Sequence, residues 1–293
     1  MIGQRNRFFD KFIRHALYPV LLVFIIGYAF IEISGPDETL GQYYPYYLGL
    51  LLGTMLCIEI LRPLRTEWRM TRTTFFRRDL PFLLISGATI FLVQLLAGWF
   101  IIWFGLIRGV SHNEIALLPS IILIILTVDF LWYWVHRWSH EGRDPVAHWL
   151  WRIHVAHHLP QQVYLLMHAV SHPFNVVIVK TLFTVPLFFI GFSTEAVFIS
   201  NLIIGLQGMV SHFNVDMRAA YFNYLFMGAE LHRYHHSANP TESKNYASTI
   251  VLWDILFGTY VAKFNAPPQK LGIEKPDQYP TDQEILKILR LPF

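Results

Sequence analysis

Residues 121–140 read IILIILTVDFLWYWVHRWSH, and this stretch indicates both the environment and the chemistry of the chain. Most of it is an apolar run of the kind that crosses a bilayer as a helix of about 20 residues. One carboxylate, Asp129, interrupts that run. The stretch ends in two histidines four residues apart, His136 and His140, which share one face of a helix. We therefore predict a membrane helix that ends in a pair of metal ligands.

The remainder of the 293 residues is similarly apolar. Hydrophobic residues make up 54% of the chain and charged residues only 15%, whereas a soluble protein carries about 25% charged residues. The formal net charge of +3 gives no sign of a nucleic-acid partner. A single cysteine, Cys57, excludes an internal disulfide and any cysteine-based metal site. These features predict an all-α integral membrane protein.

Four apolar stretches meet or approach the length that a spanning helix needs. They are residues 17–33, 45–61, 80–107 and 115–135. A fifth region, 174–210, is apolar, short for two crossings and broken at 191–195. We interpret it as a membrane hairpin and leave its full crossing open. The expected fold has at least four transmembrane helices plus this hairpin, under a helical cytoplasmic cap that holds a dimetal site.

The basic residues predict the orientation, because cytoplasmic loops carry more Lys and Arg than external ones. Cations are concentrated before residue 17 and in 62–79, whereas the segments 34–44 and 108–114 hold only Arg108. This alternation places both termini and the metal site on the cytoplasmic side. No retention signal is visible, which fits a bacterial inner membrane.

We divide the chain into an N-terminal membrane region (1–128), a catalytic region that includes the hairpin (129–262) and a C-terminal tail (263–293). In that tail, Thr281 and Glu284 resemble a capping box that would start a short helix.

Twelve of the fourteen histidines lie in two windows, 136–172 and 212–236. Two HxxHH sequences, at 154–158 and 232–236, accompany the pair at 136 and 140. Helical positions i, i+3 and i+4 share a face, so we expect the imidazoles of each box to converge on one point. Eight such imidazoles could hold two metal ions. Imidazole suits iron, copper, zinc and nickel, so the ligand type leaves the metal open.

These boxes and their flanking membrane segments resemble the fatty acid hydroxylase superfamily, integral-membrane di-iron proteins that include sterol desaturases, fatty acid hydroxylases and alkylglycerol monooxygenase. The resemblance covers about 129–260 and includes the sequences SHFN at 211–214 and WDILFGTY at 253–260. It implies ten metal ligands, which are His136, His140, His154, His157, His158, His172, His212, His232, His235 and His236.

Three polar residues are candidates for supporting roles in catalysis. Asp129 is a carboxylate within a span, where charge is costly; it either orients a ligand histidine or bonds to a tryptophan or the backbone. Glu141 is implied by the resemblance, with an ion pair to a nearby arginine as the alternative. Asn214 either orients a ligand or caps a turn. His168 lies four residues before His172 on what would be the same helix face, and is therefore the alternative ligand.

One stretch departs from the family. Sterol-acting members usually have an asparagine and an arginine between the second box and the following histidine, where this chain has Tyr164 and Val170. This difference argues against a sterol substrate and leaves the metal ligands unchanged.

The resemblance implies two iron ions, which zinc can replace on purification, and O2 as a co-substrate. It predicts hydroxylation or desaturation of a C–H bond in a membrane lipid, with a fatty acyl, sterol-like or ether or amino lipid as the substrate. The sequence shows no electron-carrying segment, so we expect an external donor of the cytochrome b5, ferredoxin or reductase type. The alternatives are a membrane metal-dependent hydrolase, which needs no oxygen, and a metal transporter. A transporter should have ionisable ligands inside its spans near the bilayer midplane, where only Asp129 and Lys180 qualify.

Overall fold

The computed structural model describes residues 7–36, 39–108, 115–264 and 266–293, without the side chains of 106–108. These residues form α-helices joined by short 3-10 and π turns and contain no strand beyond isolated bridges. The helices are α1 (Arg7–His15), α2 (Leu17–Ile33), α3 (Tyr44–Leu61), α4 (Arg72–Thr74), α5 (Leu80–Arg108), α6 (Leu117–Glu141), α7 (Pro145–His158), α8 (Pro173–Ile190), α9 (Thr194–Ser211), α10 (Ala229–His235), α11 (Leu252–Leu256) and α12 (Ile285–Leu289). The predicted all-α class is confirmed.

Five helical segments among the described residues are long and apolar enough to cross a membrane. They are α3, the continuous run Thr66–Gly105, α6, α8 and α9. The helices α1 and α2 are bent by 59° and pass the same test only as a pair. Large apolar side chains cover the outer faces, and Trp99 and Trp103 of α5 are 69% and 61% exposed. Because a soluble monomer rarely exposes so much contiguous apolar surface, these faces fit contact with lipid.

The hairpin predicted at 174–210 consists of α8 and α9, each 18 residues long. The turn between them forms where the sequence is broken. Gly191 ends α8 with a φ of 74°, a left-handed conformation that glycine adopts without strain. The hydroxyl of Ser193 then accepts a hydrogen bond from the N–H of Ala196 and caps α9. Both helices have the length and composition of a full crossing.

Helix α6 is the centre of the bundle, because α7, α8 and α9 all pack on it, while α5 packs on α8. A second layer, α2 and α3, packs on α9 through apolar residues such as Leu21, Leu51 and Leu206. This arrangement brings the ends of α6, α7 and α9 and the short helix α10 together at one end of the bundle, where the histidine boxes lie.

The tail folds back onto this end of the molecule. The N–H of Gly272 donates to the carbonyl of His236 at 3.0 Å, and the indole of Trp151 donates to the hydroxyl of Tyr279 at 2.8 Å. Helix α12 follows Glu284, whose carboxylate accepts a hydrogen bond from the N–H of Thr281 at 2.9 Å. Ile288 of α12 is fully buried in the cluster that contains α7 residues. The predicted short helix is therefore present and packs on the histidine-bearing part of the chain.

Candidate metal centre

Four helix ends carry the histidine boxes to one place. His136 and His140 lie in the last turns of α6, and the HxxHH of 154–158 ends α7. Asp144 begins α7 by accepting hydrogen bonds from the N–H groups of residues 146 and 147, at 2.9 and 3.1 Å. His212 caps the C-terminus of α9, and the third box fills α10.

Nine of the ten expected ligands form two groups, in each of which the candidate ligand atoms all lie within 4.8 Å of one another. The first group contains His136, His140, His154, His158 and His235. The second contains His157, His212, His232 and His236.

The sequence predicted that the imidazoles of each box converge on one point. In the structure, each HxxHH box is instead divided between the two groups. In 154–158 the i, i+4 pair belongs to the first group and His157 to the second, while in 232–236 the i, i+4 pair belongs to the second group and His235 to the first. The reason is angular. On a helix, residues four apart differ by about 40°, whereas the histidine three residues after the first lies about 60° to the other side of it. Each HxxHH box therefore contributes to both groups.

In the first group, the hydrogen-bond partners of Nδ1 indicate that the Nε2 atoms facing each other both lack a hydrogen. The Nδ1–H of His136 donates to the carbonyl of Tyr246 at 2.6 Å, and Nδ1 of His154 lies 3.4 Å from the side-chain oxygen of Asn175. A neutral imidazole with its hydrogen on Nδ1 has a lone pair on Nε2. The two Nε2 atoms nevertheless lie only 2.9 Å apart. Such a pair of lone pairs repels unless a cation lies between them.

The second group repeats this arrangement. The Nδ1–H groups of His157 and His212 donate to the carbonyls of Val170 and Gly208, both at 3.0 Å. Their Nε2 atoms face each other at 3.0 Å. Nε2 of His232 lies 3.1 Å from Nε2 of both His212 and His236. Neighbouring ligands at 90° on one ion, each about 2.1 Å from it, would lie about 3 Å apart. The donor set and its spacing therefore fit a transition metal in each group.

Burial keeps these imidazoles neutral, which is the form that binds a metal. Desolvation lowers the pKa of His157 to about 4 and that of His158, His235 and His236 well below the usual histidine range. Nε2 of His235 and Nδ1 of His236 are buried and have no hydrogen-bond partner among the described residues. A buried nitrogen without a hydrogen-bond partner costs free energy. These two nitrogens therefore favour a bound metal ion, which the chain itself does not supply.

His172 lies outside both groups. Its Nδ1 accepts a hydrogen bond from the N–H of Phe174 at 3.1 Å and so caps α8, while its Nε2–H donates to the carbonyl of Leu289 at 3.3 Å. His168 lies closer to the centre, because its ring is 5.1 Å from that of His212. It packs on Gly208, where a Cβ would approach Cε1 of His168 to 2.7 Å. Of the two alternatives, only His168 lies beside the second group.

Asp129 is buried and bonds to the backbone. Its carboxylate accepts hydrogen bonds from the N–H groups of Ser248, Thr249 and Ile250, at 2.9, 2.9 and 3.2 Å, and from the Ser248 hydroxyl at 2.8 Å. The carbonyl of Thr249 in turn accepts from the N–H of Met227 at 2.9 Å. Asp129 therefore fixes the segment that supports the start of α10.

Glu141 holds the segment that orients two histidines. It accepts hydrogen bonds from Arg137 at 2.7 Å, from the Tyr246 hydroxyl at 3.1 Å and from the ammonium of Lys244. The carbonyl of Lys244 accepts the Nδ1–H of His235 at 2.9 Å, as that of Tyr246 accepts the Nδ1–H of His136. Glu141 thus acts on two candidate ligands through residues 244–246, and its ion pair with Arg137 is also present.

Two other polar residues support the centre at a distance. The side chain of Asn214 exchanges hydrogen bonds with the backbone of Arg65, at 2.9 and 3.1 Å, and so ties the end of α9 to the loop after α3. Asp254 accepts from the N–H groups of Tyr246 and Ala247, at 2.8 and 3.0 Å. Sequence reasoning missed the part that 244–247 plays, because backbone carbonyls are the acceptors and every residue carries one.

Comparison with known proteins shows what the region around this centre is similar to. Residues 121–259 match the model of the fatty acid hydroxylase family. An ornithine lipid hydroxylase of Rhizobium tropici is 29% identical over 151 residues, which cover 51% of this chain and 43% of that protein. An alkylglycerol monooxygenase of Xenopus tropicalis is 33% identical over 142 residues, with 47% and 30% covered. A methylsterol monooxygenase of Arabidopsis thaliana is 28% identical over 152 residues, with 51% and 54% covered.

No solved structure matches the chain. The matched region spans between about a third and a half of the length of these curated relatives. Within this chain it begins in α6, contains both histidine groups and ends just after α11. The resemblance predicted from the three histidine boxes is confirmed, since residues 121–259 match the fatty acid hydroxylase family model.

Proposed function

We propose that this protein is an O2-dependent di-iron membrane oxygenase that hydroxylates or desaturates a C–H bond of a lipid, using electrons from a separate donor. The observation that carries the proposal is the pair of buried imidazole groups, in which Nε2 atoms face one another about 3 Å apart while Nδ1 atoms face oxygen acceptors. The three relatives named above are hydroxylases or monooxygenases, and each is named for a lipid or lipid-like substrate.

The chain's own residues prepare the site for this chemistry. Two bound irons would supply an oxidant, formed from O2 and two electrons, that removes hydrogen from an unactivated C–H bond. The carbonyls of Tyr246, Val170, Lys244 and Gly208 hold Nδ1–H groups, which fixes each ring and directs Nε2 inward. The apolar helices α6, α8 and α9 bring lipid to the centre and exclude water. A donor docking at the polar end of the bundle would supply electrons, and the basic loop 62–79 supports a cytoplasmic position for that end.

We further propose His168 as the fifth ligand of the second group. The first group has five histidines and the second only four, and His168 is the neighbour that stands beside the second. His172 already uses both ring nitrogens within the chain. We therefore expect His168→Ala to lose about one metal per chain and His172→Ala to retain both. Equal metal loss in the two variants would contradict this assignment.

The deciding experiment is the metal content of the detergent-purified protein, with Mössbauer spectroscopy after iron-57 labelling. We expect about two irons per chain and loss of iron in His157→Ala or His235→Ala, while the helical content by circular dichroism stays constant. Oxygen-dependent consumption of a membrane lipid, measured by lipidomics of cells with and without the protein, identifies the substrate. Two zinc ions that iron cannot replace, with turnover in the absence of oxygen, would favour hydrolysis instead.

A further inference from the structure

Glu59 is a buried carboxylate that lies two residues before the end of α3 and outside the region 121–259 that matches the family model. Its side chain is 6% exposed. Its Oε1 accepts two hydrogen bonds from backbone N–H groups, from Asn214 at 2.7 Å and from Leu165 at 2.9 Å. Helix α3 is thereby joined to two distant segments of the chain, and both of these segments lead to the second histidine group.

The first segment follows His212 at the end of α9. The N–H of Asn214 and the carbonyl of Phe213 belong to one peptide group and point in opposite directions. Glu59 accepts from that N–H, while Nη2 of Arg233 donates to the carbonyls of Phe213 and Val215, both at 2.8 Å.

Burial lowers the pKa of Arg233 to about 10, so this guanidinium remains protonated at neutral pH. Hydrogen bonds to charged groups are stronger than those between neutral groups. A carboxylate from α3 and a guanidinium from the third histidine box therefore hold the peptide that follows His212 from both sides.

The second segment begins at Leu165 and forms a short 3-10 turn that ends at Ala169. Val170 follows this turn, and its carbonyl accepts the Nδ1–H of His157 at 3.0 Å. Glu59 therefore holds the start of the turn whose end orients His157. Removal of the carboxylate would leave a buried N–H without an acceptor at the beginning of that turn.

The first histidine group is held by other residues. Its Nδ1 atoms face the carbonyls of Tyr246 and Lys244 and the side-chain oxygen of Asn175. Among the described residues, Glu59 makes hydrogen bonds only with Leu165 and Asn214. Its contacts thus lead to the second group alone.

We propose that Glu59 is a positioning residue of the second metal site, which acts through the backbone on His157 and His212. This inference rests on the proposed function, because it assumes that the two histidine groups hold metal ions. It makes the N-terminal membrane region a part of the metal centre, although that region lies outside the part of the chain that matches the family. Loss of the Glu59 acceptor should therefore weaken one metal site and leave the other intact.

The metal content of the detergent-purified, iron-57-loaded protein tests this proposal without turnover. Glu59→Leu removes the acceptor, whereas Glu59→Gln keeps an oxygen that can accept both bonds, since both end on one atom. Glu32→Leu is the matched control, because Glu32 is a buried carboxylate of α2 that accepts from the N–H groups of Gly41 and Tyr43, at 2.7 and 3.3 Å. These bonds hold the turn after α2 and no histidine segment. Mössbauer spectra and thermal unfolding are recorded for every variant.

We expect about two metals per chain in the wild type, Glu59→Gln and Glu32→Leu, and about one in Glu59→Leu. The iron that remains in Glu59→Leu should give the Mössbauer spectrum of a single ion that is not coupled to a second. Two metals in Glu59→Leu would overturn the proposal. The same metal loss in Glu32→Leu, or in Glu59→Gln, would overturn it as well, because the loss would then reflect general destabilisation or the missing charge.

Glu59→Asp provides a milder test if Glu59→Leu does not fold. It keeps the carboxylate on a side chain one methylene shorter, which lengthens both hydrogen bonds. One of its two metals should pass to a chelator at least tenfold faster than in the wild type, and release of both at the wild-type rate overturns the proposal. Loss of one metal in Glu59→Leu from a protein that holds zinc and turns over without oxygen would support the role of Glu59 and refute only the di-iron chemistry.

Discussion

Replacing Asp129 tests whether this carboxylate acts through the backbone or directly in the reaction. In Asp129→Asn the amide oxygen can take the place of Oδ1, which accepts the three bonds from Ser248 and Thr249. The NH2 group then faces the N–H of Ile250 in place of Oδ2. One bond is lost, and the N–H of Ile250 and the new NH2 group face each other without an acceptor, at a cost of about 1 kcal/mol or more for each.

The other terms nearly cancel. The three remaining bonds become neutral, which weakens each by about 1 kcal/mol. The amide loses less solvation on burial than the carboxylate, by an energy of the same order. We therefore expect Asp129→Asn to lower the free energy of unfolding by about 2 kcal/mol. Asp129→Ala leaves all four donors unpaired and should cost about 4 kcal/mol or more.

Thermal unfolding in detergent, followed by tryptophan fluorescence, measures both variants. A loss of about 2 kcal/mol corresponds to a Tm lower by roughly 4–8 °C for a chain of this size. Asp277→Asn is the control, because Asp277 is an exposed carboxylate in the tail. Unchanged Tm in both Asp129 variants would refute the structural role. Full stability and metal content in Asp129→Asn, together with lost activity, would instead show that Asp129 takes part directly in the reaction.

Three further predictions follow from the same contacts. Metal-free protein should lose stability as the pH falls from about 6.5 to about 4. Burial lowers the pKa of His157 to about 4, so in this range the unfolded chain binds more protons than the folded chain. Each such histidine adds up to about 1.4 kcal/mol per pH unit to the slope of the unfolding free energy in a urea-unfolding series. Asp282→Asn, which weakens the ion pair with the fully buried Arg78, should release the tail to limited proteolysis, whereas Asp277→Asn should not. Gly208→Ala should displace the His168 ring, since the new methyl would lie 2.7 Å from Cε1, and should reduce the metal content toward one per chain.

The sequence was sufficient to predict those features that a local pattern determines. Apolar runs of membrane length predicted α3, α5 and α6, and the break at 191–195 predicted the turn of the hairpin. Repeated boxes predicted a metal centre, because several histidines at helical spacing indicate a shared function. A lone histidine has no such spacing, so the choice between His168 and His172 required the positions of α8 and α9.

Other features depend on contacts between distant segments. The carbonyl of Tyr246 holds His136 from 110 residues away, and no side-chain pattern records that contact. Likewise, Tyr164 stands where sterol-acting relatives have asparagine, and its hydroxyl bonds to Asp79 in the buried network that includes Arg78 and Asp282. Tyr164, the residue that departs from the family pattern, thus has a structural role in this chain, because its network holds the tail against the bundle.

The division of each HxxHH box between the two groups explains why the spacing itself matters. Helix α7 gives two candidate ligands to the first group and one to the second, and the third box does the reverse. A helix that carries histidines of both groups fixes the distance between the two groups, because its backbone is rigid. Two metals held in this way would be positioned relative to each other by α7 and α10 together, and not by flexible loops. In this chain the HxxHH spacing therefore lets one helix serve both groups, whereas the HxxxH at 136 and 140 serves one group.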